Sequence, residues 1–149
     1  MSIQIEEDTK NFLNMLKKEI EVKSSHYPHK ILISGMGGSG IGGRILETLA
    51  NYHDIGQIYS WNNYGLPKWI SSEDSVICVS YSGNTAETLS AAIEAHTRGC
   101  KVEVVSTGGK LIELADKYNW NKTIVENGHQ PRAALPLLLK PLLYKINLP

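Results

Sequence analysis

Three aliphatic hydroxyls fall within Ser80-Tyr-Ser-Gly-Asn-Thr85, on Ser80, Ser82 and Thr85, directly after an apolar run and directly before a helical pattern. Hydroxyls donate hydrogen bonds to an anion without bringing a net charge. A helix starting at such a turn adds free backbone N–H groups and the positive end of its dipole. That chemistry holds a phosphate. Gly35-Met-Gly-Gly-Ser-Gly40 is a second stretch of interest, because its glycines let a ligand approach the backbone closely. Arg132, which follows Pro131, is the third: a guanidinium beside a helix N-terminus can neutralise negative charge. An N-cap and turn cluster accounts for one or two hydroxyls, but hardly for three. Each hydrogen bond to a charged group contributes about 1.5–3 kcal/mol and the helix end about 0.3–1. Four or five such contacts reach the roughly 4 kcal/mol of millimolar binding even after ordering costs.

The elements around these stretches place them. Val76 to Val79 is a short apolar run of the kind a strand covered on both faces shows. Asn84-Thr-Ala-Glu87 has the spacing of a capping box, and the helix it opens runs through Leu89, Ala92 and Ile93 to Gly99 as its C′ glycine. Lys30 to Ser34 reads as the first strand, Gly35 to Gly40 as the loop after it, and a helix follows through Arg44, Ile45, Leu46 and Leu49. Further strands are expected at Gly56–Trp61, Lys101–Val105 and Lys122–Val125, with a helix over Leu111–Tyr118. Pro131 is read as a helix start opening the C-terminal segment, which Pro136 and Pro141 break into short pieces. Ahead of all this, Ile5, Phe12, Leu13, Leu16 and Ile20 recur at helical spacing, so residues 1–29 form an amphipathic helix and a linker. Lone cations such as Arg44 and Arg98 are assigned to solvated helix faces.

This alternation implies an α/β fold: a doubly wound, mostly parallel five-stranded sheet with helices on both faces, filling residues 30–149 of a single domain. Ligands bind such sheets beyond the carboxyl ends of the strands. All three stretches follow a strand's carboxyl end.

Fifteen basic and fifteen acidic residues cancel, so no overall field attracts nucleic acid or an anionic membrane, and an anion must be held locally. No apolar run approaches the roughly 18 residues of a membrane span, and the start lacks the basic flank and apolar core of a signal peptide. Cys78 and Cys100 have no ligand or redox spacing; Cys78 reads as a small hydrophobe, and a cytoplasmic setting is expected. No metal site and no cofactor are expected.

Ser80-Tyr-Ser-Gly-Asn-Thr85 followed by a helix resembles the phosphate loop of the sugar isomerase (SIS) domain family. Gly35-Met-Gly-Gly-Ser-Gly40 and Gln130-Pro-Arg-Ala-Ala-Leu-Pro136 resemble the bifunctional phosphoglucose/phosphomannose isomerases within it. The matches lie in the family's order over roughly residues 30 to 140. The resemblance implies a flavodoxin-like SIS fold and a phosphorylated hexose as ligand. Ser80, Ser82 and Thr85 would hold its phosphate, while Gly38 and Ser39 would contact the sugar hydroxyls or phosphate. Pro131 and Arg132 would come from the third motif, with Arg132 stabilising an enediolate.

Moving a proton between C2 and C1 also requires a base. The family's Glu base and ring-opening His lie in a second SIS domain, which is expected to be absent here. The groups on offer are Glu126 and His129, with Glu87 assigned to its capping box. The leucine-rich ending and the family's paired domains imply a homodimer or a second SIS half as partner. A non-catalytic sugar-phosphate sensor is the second reading. A nucleotide-binding Rossmann module is the third, weakened because the second strand ends Tyr59-Ser-Trp-Asn-Asn63 without an acid for ribose.

Overall fold

The computed structural model describes residues 2–17, 27–130 and 133–146. Five strands form one sheet: β1 (Ile31–Ser34), β2 (Ile58–Trp61), β3 (Ser75–Val79), β4 (Lys101–Ser106) and β5 (Asn121–Ile124). Their order is β2-β1-β3-β4-β5 and every pairing is parallel. Five helices flank them: α1 (Ser2–Lys17), α2 (Gly37–His53), α3 (Ala86–Thr97), α4 (Gly109–Tyr118) and α5 (Leu135–Lys145).

Strand periodicity divides the core into two layers. Ile31, Ile33, Ile77, Val79, Val105 and Val125 face Met15 of α1, Leu46 and Ala50 of α2, and Leu137, Leu138 and Leu142 of α5. Leu32, Val76, Cys78, Val102 and Val104 face the alanines of α3 and Leu111 and Ala115 of α4. Helices thus cover both faces, as expected of a doubly wound fold. Burial pushes the Cys78 thiol up to about 12, so the residue serves as packing. Sheet order reverses at β1, whose neighbours are β2 and β3. The loops leaving β1 and β3 therefore flank the switch point, where a doubly wound sheet opens a crevice.

Four expectations are corrected. Helix α2 begins at Gly37, so Gly38, Ser39 and Gly40 occupy its first turn rather than a loop. The C-terminal segment is one helix: Pro136 sits at its start, where an N–H has no helical partner anyway, and Pro141 is buried inside it. Three leucines of that helix, Leu137, Leu138 and Leu142, do not wait for another chain, since they lie in the domain's own core. Arg98 is no solvated cation. It caps α3 and donates to the carbonyls of Pro67 at 2.8 Å and Ile70 at 3.0 Å, pinning the loop before β3. The end of the expected first helix, with Ile20, lies outside the described residues.

One feature of α5 is not apolar. Lys145, 1% exposed, pairs at 3.4 Å with Glu103, which is fully buried at the middle of β4 and also accepts from Asn121 and from the Tyr27 hydroxyl. A charge this deep requires a partner, so the pair fixes how the helix lies on the sheet.

Candidate functional site

The first loop is set by Gly35. A Cβ there would come within 2.8 Å of the Ser39 carbonyl oxygen and 3.1 Å of the Val79 carbonyl oxygen, so only glycine lets α2 start this close to the end of β3. Met36 is the N-cap and its side chain makes no capping bond. The positive end of a 17-residue helix thus meets the sheet's carboxyl edge without a side-chain cap. Ser39, in the first turn, is half-buried and its Oγ accepts the backbone N–H of Tyr81 at 3.1 Å.

The second loop follows β3. Ser80 is 1% exposed; its Oγ accepts the N–H of Gly83 at 3.1 Å and lies 2.9 Å from Thr85 Oγ1. Ser82 is exposed and its Oγ accepts the N–H of Asn84 at 3.2 Å. The expected capping box at Asn84 and Glu87 does not form. Thr85 is the N-cap of α3 and makes no side-chain capping bond, while Asn84 Oδ1 accepts the N–H of Lys110 at 3.0 Å. The hydroxyl turn thus faces a second helix N-terminus that no N-cap side chain closes. All three hydroxyls gather in one turn, with Ser80 beneath and Ser82 and Thr85 nearer solvent.

Periodicity did not single out a third loop, Ser106 to Lys110 after β4, that holds this turn in place. Gly83 has φ +75°, and a Cβ on it would lie 1.8 Å from the Gly108 carbonyl oxygen. The Gly83 carbonyl accepts from Leu111 N at 2.9 Å, and the Tyr81 carbonyl accepts from Thr107 N at 3.2 Å and Thr107 Oγ1 at 2.6 Å. The signal was present: Thr107-Gly-Gly109 also follows a strand's carboxyl end.

A fourth loop follows β5. Glu126 is exposed, and its Oε1 lies 3.5 Å from Nε2 of the partly buried His129. That nitrogen is enclosed and makes no hydrogen bond. The two candidate catalytic groups are thus brought together. The Tyr81 hydroxyl ties them to the hydroxyl turn, donating to the Glu126 carbonyl at 3.2 Å and accepting from His129 N at 2.9 Å. Pro131 and Arg132 lie outside the described residues. Among the described residues, no three His, Cys, Asp or Glu side chains gather as metal ligands, and no helix is long and apolar enough to cross a membrane.

No family model matches the chain. It is 42% identical over 114 residues to a bifunctional phosphoglucose/phosphomannose isomerase of Caldicellulosiruptor bescii, covering 76% of this chain and 34% of that protein. A D-glucosamine-6-phosphate 4-epimerase of Sulfolobus acidocaldarius is 36% identical over 120 residues, covering 79% of this chain and 37% of the epimerase. The chain spans about a third of the length of the curated relatives it matches. Among solved structures, the Vibrio vulnificus NanR protein complexed with ManNAc-6P superposes with a TM-score of 0.67 at 19% identity, over 98% of this chain and 60% of that one. That likeness concerns the fold. Sequence and fold together make this chain a member of the sugar isomerase (SIS) family, similar to about a third of a bifunctional phosphoglucose/phosphomannose isomerase.

Proposed function

We propose that the chain binds the phosphate of a hexose 6-phosphate in the turn between β3 and α3. In this reading it is the sugar-phosphate-holding part of an enzyme that interconverts glucose 6-phosphate or mannose 6-phosphate with fructose 6-phosphate. The observation that carries the reading is the meeting of Ser39, Ser82 and Thr85 with two helix N-termini that no N-cap side chain closes. The Ser39 and Ser82 oxygens accept backbone N–H groups, so each keeps its own proton to donate to a phosphate oxygen. Ser80, buried beneath, shares a 2.9 Å hydrogen bond with Thr85, and with Ser80 as its donor the Thr85 proton points outward. Gly38 contributes its N–H from the first turn of α2.

The sugar then extends from its phosphate toward the loop after β5. Arg132, with Pro131 before it, is assigned to the enediolate by its sequence motif alone. Glu126 and His129 are the base and the proton donor on offer, and a second SIS half or a second copy of the chain is the partner that completes the site. A coupled assay of fructose 6-phosphate conversion tests this, with Arg132→Ala as the control for host isomerase. Turnover that disappears in the variant supports catalysis. Turnover identical in the two proteins removes Arg132 from the mechanism.

Binding without turnover is the second reading, favoured by the contact between Glu126 and His129. Each group faces the other rather than standing alone. Saturable binding of fructose 6-phosphate with no conversion would select it.

A further inference from the structure

Tyr81 lies between two of the hydroxyl residues, yet its side chain points away from solvent, at 6% exposure, into the core layer that holds Val79 and Val125. Its polar groups reach three other loops at the sheet's carboxyl edge. The N–H goes to Ser39 after β1, the carbonyl to Thr107 after β4, and the hydroxyl to Glu126 and His129 after β5. The hydroxyl donates once and accepts once, and a buried phenol satisfied in this way is held in one rotamer.

Resting on the phosphate site proposed above, we infer that Tyr81 is a positioning residue that fixes the spacing between the phosphate turn and the loop carrying Glu126 and His129. The backbone of Tyr81 belongs to the phosphate end of the ligand, and its hydroxyl, at the far side of a rigid ring, belongs to the sugar end. Ring and backbone move together, so a phosphate that orders the turn also orders the β5 loop. A ligand that spans both ends uses this spacing. Inorganic phosphate, which occupies one end, does not. A residue with a merely structural role would weaken both ligands alike.

Tyr81→Phe keeps the ring and its packing while deleting both hydroxyl bonds. Titration of the wild-type and variant chains with inorganic phosphate and with fructose 6-phosphate separates the outcomes. The inference predicts phosphate affinity within about twofold of wild type, and fructose 6-phosphate affinity lower by about tenfold. It also predicts that fructose 6-phosphate slows hydrogen exchange at the His129 amide in wild type but not in the variant. Equal fructose 6-phosphate affinity in the two proteins would overturn the inference while leaving the phosphate site standing. A parallel loss for both ligands would also overturn it, by reducing Tyr81 to a support of the turn. Wild-type protein that binds neither ligand would overturn the phosphate site itself, and the inference with it.

Discussion

The Oγ of Ser39 accepts the backbone N–H of Tyr81 at 3.1 Å, joining the first turn of α2 to the turn that opens α3. This bond crosses the switch point of the sheet. It brings a hydroxyl from one helix start to the hydroxyls of the other, and it satisfies an N–H that would otherwise be buried without a partner.

Ser39→Ala removes the link and, in the proposed function, a donor to the ligand. Affinity for fructose 6-phosphate is expected to fall by about 1–2 kcal/mol, roughly 5- to 30-fold, as read by calorimetric titration. Unchanged affinity would take Ser39 out of the site.

Gly83 is held by its neighbours as well as by its backbone. With φ +75° and the Gly108 carbonyl where a Cβ would stand, Gly83→Ala must displace the loop after β4. A loss of more than about 2 kcal/mol in denaturant unfolding is expected. A stability near that of wild type would mean that the two loops do not lock together.

Helix α5 belongs to the domain's own core. Leu142 is fully buried, and its Cδ1 would lie 3.1 Å from a Cβ on Gly42. Leu142→Ala is expected to cost about 2–5 kcal/mol in the isolated chain. A cost under about 1 kcal/mol would mean that the helix needs a partner to settle it.

At the opposite edge of the sheet, Asp74 receives the N–H of Ser71 at 2.8 Å and that of Lys30 at 3.3 Å, with the Lys30 ammonium 3.7 Å away. Burial raises its carboxyl, but these hydrogen bonds and the Lys30 charge together outweigh burial and hold it below its ordinary value of 3.8. A carboxyl lowered in the folded state stabilises above its unfolded value, and that contribution is lost as pH falls through the folded one. Asp74→Asn is therefore expected to be less stable than wild type at pH 7, with the gap closing below about pH 3.8. A gap that stays constant from pH 7 to pH 3 would contradict this account of Asp74.

Apolar runs at Val76–Val79 and Ile31–Ile33, punctuated by glycine, made the sheet and its parallel sense legible in the sequence. The hydroxyl turn was legible for the same reason, since helix starts and hydroxyls are local features. What escaped was non-local. Asn84 looks like an N-cap until the β4 loop arrives to take its side chain, and Arg98 looks solvated until the chain from Leu66 to Ile70 folds over it. Pro141 reads as a helix breaker because local propensity says so, yet burial of Leu137, Leu138 and Leu142 offsets the missing hydrogen bond. The role of Tyr81 has no local signal, because nothing along the chain shows that its hydroxyl reaches residues 126 and 129.

The most direct test of the phosphate turn is a calorimetric titration of the chain with fructose 6-phosphate and with fructose, repeated on the Ser82→Ala, Thr85→Ala double variant. The account predicts saturable binding of the phosphorylated sugar alone, weakened by about 2–4 kcal/mol in the double variant. Equal binding of the two sugars, or an affinity that the double variant leaves unchanged, would contradict it.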